Sequence, residues 1–183
     1  MNAVLKPATD YRELLLGCGS ARDKRIKWNE VPQEWQNLTT HDIDPDSGAD
    51  VVHDLNVLPY PWADNSFDEI AAYEVLEHCG SQGDAKFFFA QFAEFYRILK
   101  PGGHMACTVP AWDSQVAWGM PDHRRVITEG SLAILDHRYY YDLGKPTGLG
   151  KADYRKQLGA TNFQTVAHKM EGDSFGFVLR AVK

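Results

Sequence analysis

Cysteine is scarce in this sequence, and the three residues present, Cys18, Cys79 and Cys107, lie far apart with no Cys-x-x-Cys pair. An odd, scattered set excludes a disulfide framework and a thiolate zinc site, so reduced and mostly buried thiols are expected. No run of about 18 apolar residues, the length needed to cross a bilayer, occurs anywhere. The opening MNAVLKPATDYRE also lacks a basic segment followed by an apolar one. The expectation is a cytoplasmic protein with no membrane partner. Positive charge is in deficit as well: 19 Lys and Arg against 25 Asp and Glu leave a net charge of -6. That balance argues against the broad basic face that naked nucleic acid requires. His41, His53, His104, His137 and His168 show no metal-ligand spacing, and no metal is expected.

What is present is the composition of a globular chain: 183 residues, 44% hydrophobic and 24% charged, enough for one well-filled core and too few for two ordinary domains. A single domain over residues 1–183 is expected, with residues 1–9 as a flexible or extended arm. Strand-like and helix-like segments alternate, the pattern of an α/β protein with a largely parallel sheet. Strands are predicted near Glu13 to Leu16, Leu38 to Ile43, Val51 to His53, Phe67 to Tyr73 and His104 to Val109. The stretch GDAKFFFAQFAEFYRILKPGG reads as a helix: Asp84 is the N-cap, Phe88, Phe92, Phe95 and Leu99 recur at helical spacing, and Pro101-Gly102-Gly103 stops it. Those phenylalanines read as core. Two strand-like runs around Glu171-Gly172-Asp173 predict an antiparallel hairpin at the C-terminus.

The first strand runs straight into glycines, in RELLLGCGSARDKR. Such a strand end is where α/β proteins hold nucleotide-like ligands. A lone Gly-x-Gly is weak, since glycine also marks ordinary turns. Asp42 strengthens it: at the end of the next predicted strand, its carboxylate is placed to accept bonds from a ribose diol. A dinucleotide cofactor normally goes with Gly-x-G-x-x-Gly, but here the sixth position is Arg22, which counts against a nucleotide-dependent oxidoreductase. Gly17, Cys18 and Gly19 let the backbone approach a ligand closely, with Cys18 itself assigned to packing. Asp44 and Asp46, beside Pro45 and Ser47, read as turn formers.

Taken in order, LLLGCGS, DIDP, ADVVHDLNVLPYPWADNSFDEI, YEVLEH and RILKPGGHMACTVP resemble the motifs of the class I S-adenosylmethionine-dependent methyltransferases, from about Leu14 to the final hairpin. Within that family the chain looks most like the small methyltransferases of phage and bacterial genomes. The resemblance implies a Rossmann-like methyltransferase fold with a seven-stranded, largely parallel sheet and an antiparallel C-terminal hairpin strand. It implies S-adenosyl-L-methionine as cofactor. Asp42 would then hold the ribose and Ile43 the adenine face, Asp54 and Leu55 would meet the adenine edge, and Tyr73 and Glu74 would line the amino-acid end and the methyl group.

One segment departs from the family pattern. SARDKRIKWNEVPQEWQN crowds charges at its start and carries Pro32 in its middle, so the first helix is expected to be short or replaced by a loop. Arg22, Lys24, Arg25 or Lys27 could meet an anionic group, but a solvated basic loop is the favoured reading.

Methyl transfer from a sulfonium needs chiefly an acceptor held in place and, for a hydroxyl or amine, a base. His123, in WGMPDHRRVITEG, is the candidate base, with His78 beside Glu77 as a second; the Leu-Glu-His triplet also fits a structural role around the cofactor. Residues 110–141 are expected to form a lid over the substrate, with Trp112, Trp118, Asp122 and Arg124 as acceptor-side residues. No Asp/Asn-Pro-Pro-Tyr motif follows the fourth strand and there is no Pro-Cys nucleophile, which argues against methylation of DNA bases. A small molecule or sugar acceptor is expected, a protein side chain being the other possibility. The alternatives are a non-catalytic S-adenosylmethionine or nucleoside-binding module and, less favoured, the oxidoreductase.

Overall fold

The computed structural model describes residues 10–141 and 152–183; the expected arm over residues 1–9 lies outside them. Leu14 and Leu16 of the first strand, β1 (Glu13–Leu16), face one side of the sheet and Leu15 the other, and all four residues are buried. A strand apolar on both faces belongs at the centre of a covered sheet. It pairs in parallel with β2 (Leu38–Asp42) on one side and β4 (Phe67–Tyr73) on the other. Outside β2 lies the two-residue β3 (Val51–Val52), and beyond β4 lies the long β5 (Leu99–Pro110). The hairpin of β6 (Phe163–Glu171) and β7 (Ser174–Ala181) completes the sheet antiparallel to β5, turning at Gly172. The order is β3-β2-β1-β4-β5-β7-β6 in one seven-stranded sheet. β1 is flanked by β2 and β4, so the chain reverses direction across the sheet beside it. In open α/β sheets the crevice at such a reversal, beyond the carboxyl ends of the strands, is where ligands bind.

The helix α1 (Ala85–Ile98) covers one face, and its N-cap is Asp84, whose side chain accepts from the Phe87 N–H. Phe89, Gln91, Phe92, Phe95 and Ile98 are its buried residues. Phe88 is only half-buried, so the stripe lies slightly round the helix from the expected one, and Leu99 already begins β5. Pro101-Gly102-Gly103 does not separate helix from strand: β5 runs through it, five residues earlier than predicted, with Gly102 at φ 75° and a register shift against β4. α1 packs on Leu14, Leu16, Ile70, Ala72, Met105, Phe175 and Phe177 to form the main core.

The opposite face over β1 and β4 carries no helix between residues 20 and 37. This loop is pinned rather than solvated, which corrects the reading of its basic residues. Lys24 is buried, with Nζ 2.9 Å from Glu13 Oε1 and 2.7 Å from Glu69 Oε2. Glu13 Oε2 also accepts from the Gln36 N–H at 2.6 Å, while Trp35 Nε1 donates to the Arg22 carbonyl at 2.5 Å. Arg22 turns back onto the carbonyls of Gly19 and Ser47. Lys27, paired with Glu34, and Arg25, whose guanidinium lies over the Tyr73 ring, are exposed as expected.

Candidate cofactor and acceptor site

At the carboxyl edge of β1, β2 and β4 lies a cavity of about 250 Å³, lined by Gly17, His41, Asp42, Ile43, His53, Asp54, Leu55, Asn56, Glu74, Val75, His78 and Cys79. Gly17 turns out of β1 at φ 57°, and a Cβ there would meet Val75 Cγ2 at 2.3 Å. Glycine is thus required by two independent constraints, the left-handed backbone and the crossing chain after β4. Gly19, at φ 48°, has no atom within 4 Å of where its Cβ would stand, so only its backbone conformation asks for glycine.

Asp42 ends β2 and is buried; its Oδ2 accepts from the Gly19 N–H at 2.7 Å and its Oδ1 from the Asp44 N–H at 2.9 Å. These bonds hold the carboxylate at the mouth of the glycine turn. Asp44 and Asp46 form the expected turn, a single 3-10 turn over Pro45–Ser47 in which Asp44 accepts from the Asp46 N–H. Ile43, at 62% exposed, presents an uncovered apolar surface beside these carboxylates. Asp54 Oδ1 accepts from both the backbone N–H and the side-chain amide of Asn56, which hold its carboxyl below the usual range and keep it ionised. Asn56 Oδ1 in turn accepts from the Gly80 N–H at 2.8 Å, tying the two walls of the cavity together. Sequence reasoning missed Asn56 and the two lining histidines, His41 and His53. The Asx-type spacing Asp54-Leu55-Asn56 was the available signal for the first.

Glu74 stands on the wall at φ 58°, a strained conformation for a residue with a side chain, of the kind that clusters at functional sites. Ser174 Oγ, from the hairpin, donates to its Oε1 at 3.2 Å. Tyr73 and Cys18 are placed elsewhere. Alternation along the strand turns Tyr73 to the loop-covered face, where its hydroxyl accepts from the Ile26 N–H and its ring packs with Leu15, Ala71 and Cys18. Cys18 is thus packed, as its sequence reading favoured, and neither side chain lines the cavity.

Beyond Glu74 the chain makes a 3-10 turn over Leu76–His78, and the segment after β5 is laced onto it. The Glu77 carbonyl accepts from the N–H groups of Arg124 and Arg125, and Arg124 returns its own carbonyl to the Gln82 N–H. The buried Arg125 guanidinium anchors this crossing through the Leu76 carbonyl and Gln91. His123 is thereby set edge-on to His78, with ring centroids 5.0 Å apart. His78 Nδ1 lies 3.2 Å from the Asp122 carbonyl, and its Nε2 lies 3.8 Å from Glu77 Oε1. Glu77 is 2% exposed, and burial, then the neighbouring Glu74 charge, push its carboxyl up to about 8.

The remaining residues expected on the acceptor side are less gathered. Trp112 and Trp118 are 48% and 67% exposed, linked by Trp118 Nε1 donating to the Trp112 carbonyl, on and beside the short helix α2 (Gln115–Gly119). The Arg124 side chain reaches Ser81 Oγ at 3.5 Å. Ile127, Leu132, Leu135 and Tyr140 are buried in the main core, so the second half of the expected lid packs as core, while in its first half Asp122 and His123 meet His78 on the cavity wall.

Two carboxylates anchored by backbone donors, an uncovered isoleucine and a leucine make a fitting set for a nucleoside: acceptors for ribose and amino hydrogens, and apolar surface for a base. The family model described as "Methyltransferase domain" matches residues 14–107, just over half of the chain. The chain belongs to the class I S-adenosylmethionine-dependent methyltransferase family. The methyltransferase fold also recurs in solved structures. An S-adenosylmethionine-dependent methyltransferase from Mesorhizobium loti is 14% identical, with 96% of this chain and 94% of that one covered and a TM-score of 0.54. A 1,6-didemethyltoxoflavin-N1-methyltransferase from Burkholderia thailandensis, solved with 1,6-didemethyltoxoflavin and S-adenosylhomocysteine, is 18% identical over 94% of this chain and 71% of that one, at TM-score 0.55. A [4+2]-cyclase is 16% identical over 94% and 74%, at TM-score 0.53, so the shape alone does not specify a reaction. No curated protein sequence matches this methyltransferase chain. Among the described residues no helix is long and apolar enough to cross a membrane.

Proposed function

We propose that this methyltransferase holds S-adenosylmethionine in the cavity between β1, β2 and β4 and methylates a small molecule or sugar that approaches from the side of His78 and His123. The observation that carries this reading is the gathering of Gly17, Asp42, Ile43, Asp54, Leu55 and Glu74, contributed by four separate chain segments, around one cavity. In this reading Asp42 accepts from the ribose hydroxyls, Asp54 from the adenine amino group, and Ile43 and Leu55 cover the base. The acceptor is received at the mouth of the cavity, where His78 on its wall meets His123. When bound, the cofactor supplies a sulfonium methyl group for displacement by the acceptor's oxygen or nitrogen, leaving S-adenosylhomocysteine. The chain's part is to orient the acceptor and receive its proton. His123 Nδ1, buried and without a hydrogen-bond partner, is the lone pair placed for that proton. Asp122 orients His78, and Trp112 and Trp118 offer flat surface to the acceptor on a lid confined to residues 111–126.

Calorimetric titration with S-adenosylmethionine and S-adenosylhomocysteine tests the cofactor half. Binding should be in the micromolar range and weaken by about 1–3 kcal/mol in Asp42→Ala, while dinucleotides should not bind. Equal affinity of Asp42→Ala and wild type would remove the ribose assignment. A labelled-methyl transfer screen against lysate fractions tests the acceptor half. A chain that binds the cofactor and labels no fraction is the non-catalytic binding module. With an acceptor in hand, His123→Ala should retain cofactor affinity and lose roughly a hundredfold or more in transfer.

A further inference from the structure

Glu77, His78 and His123 are more than a candidate base and its neighbours: each offers a ligand atom, and these atoms all lie within 4.8 Å of one another. We infer that these three side chains form a binding site for a divalent transition-metal ion at the mouth of the cofactor cavity.

Three observations point to a ligand there. Both carboxylate oxygens of Glu77 are buried without any hydrogen-bond partner, in a residue that is 2% exposed. A buried carboxylate beside the like charge of Glu74 is costly unless a cation or proton satisfies it. His123 Nδ1 is likewise buried and unpartnered. The Asp122 carbonyl 3.2 Å from His78 Nδ1 can only accept, so the proton resides on Nδ1 and the Nε2 lone pair is turned toward Glu77, with Asp122 Oδ2 also 3.5 Å from Nδ1. A carbonyl or carboxylate on the far nitrogen is the usual support of a metal-bound imidazole.

Geometry and chemistry select the class of ion. At a tetrahedral ion, metal–nitrogen and metal–oxygen bonds of about 2.0–2.2 Å place ligand atoms roughly 3.4 Å apart, so the side chains must rotate to close the widest gap by up to about 1.4 Å. Two imidazoles and one carboxylate suit zinc, cobalt, iron or nickel better than magnesium or calcium, which take oxygen ligands. The buried thiol of Cys79 donates to the Val75 carbonyl and is not part of the set. Three protein ligands leave coordination positions open to the cavity mouth. If the proposed methyl transfer holds, an acceptor hydroxyl bound there would lose its proton more readily, and His123 would act as a ligand instead of a base.

The test is direct titration of tag-free, chelator-stripped protein with Co²⁺, followed by visible absorption and calorimetry, with S-adenosylhomocysteine binding measured on the same sample. One Co²⁺ per chain is expected, with d–d bands of nitrogen and oxygen ligation. Affinity should fall more than tenfold in His78→Ala, His123→Ala and the near-isosteric Glu77→Gln, and remain unchanged in the exposed, distant His168→Ala. Circular dichroism establishes which variants are folded, and Glu77→Gln, which keeps the side-chain shape, carries the test if an alanine variant is not. Stripped protein that binds S-adenosylhomocysteine but no Co²⁺ overturns the metal site and leaves the cofactor reading standing. Co²⁺ binding that survives in the folded variants overturns it as well. Co²⁺ bound at these residues without S-adenosylhomocysteine binding supports the site and sinks the cofactor reading.

Discussion

The two faces of the sheet are covered in different ways. On one, α1 lays Phe89, Phe92, Phe95 and Ile98 onto Leu14, Leu16, Ile70 and Ala72 in a continuous apolar core. On the other, over β1 and β4, residues 20–37 cross without a helix, and a buried lysine between two strand glutamates stands among a small group formed by Leu15, Cys18, Ala71 and Tyr73. The cavity nonetheless forms where both faces meet the strand ends. Its walls come from the order of β1, β2 and β4 and from the turns that leave them, so a helical layer on the second face is not needed to place Gly17, Asp42 and Glu74. Apolar packing stabilises the first face through area removed from water. The second depends on keeping a few buried polar groups satisfied.

The largest effect separating the faces is expected from Phe92→Ala, which empties a fully buried ring site and should cost about 3–5 kcal/mol in denaturant unfolding, with little pH dependence. A loss under 1 kcal/mol would mean that α1 is not the main support. Lys24→Met should cost about 3 kcal/mol or slightly more, because it removes the cation between Glu13 and Glu69 and leaves buried carboxylate unpaired. Adding Glu13→Gln and Glu69→Gln should recover much of that loss; a triple variant no better than the single one would assign the cost to lost packing instead.

A pH signature follows on the same face. Burial pushes the Glu69 carboxyl up to about 7, against 4.5 for the ordinary group. Between those values the folded chain keeps a proton that the unfolded chain has released, so the Glu69 contribution to stability is complete at low pH and falls as pH rises through the window. Thermal melts from pH 4 to 8 should show that decline in wild type and a flatter profile in Glu69→Gln.

Smaller still, Trp35→Phe keeps the ring near Lys24 but deletes the bond to the Arg22 carbonyl, an expected loss of about 1 kcal/mol. Trp118→Ser, at an exposed position, should leave unfolding within about 0.5 kcal/mol of wild type. A larger change would give this tryptophan a structural role and weaken its assignment to the acceptor.

Much of the architecture was legible because it is written in short-range patterns. Three leucines running into Gly17, the acid at Asp42, the N-cap at Asp84 and the turn at Gly172 each record a local backbone requirement, and each element stands within a few residues of its expected place. Where the reading missed, the cause was a contact with a distant partner. Lys24 looks like one more charge in a basic run, and only the proximity of Glu13 and Glu69 across two strands draws it inside. Tyr73 sits at the right strand end, but strand alternation turns it away from the cavity. The stretch expected as a lid divides at Ile127 because the apolar residues after it find the main core.

By itself, then, the sequence determined the order of the strands and helix, the glycine turn and the two carboxylates that follow, since these depend on backbone conformation and on periodicity within a few residues. Tertiary structure alone decided what Glu77, His78 and His123 are to one another. His123 lies 45 positions from His78, and no local pattern links them. They meet because the Glu77 carbonyl accepts from the Arg124 and Arg125 N–H groups and Arg125 buries its guanidinium beneath the turn, leaving three lone-pair donors within 4.8 Å of one another.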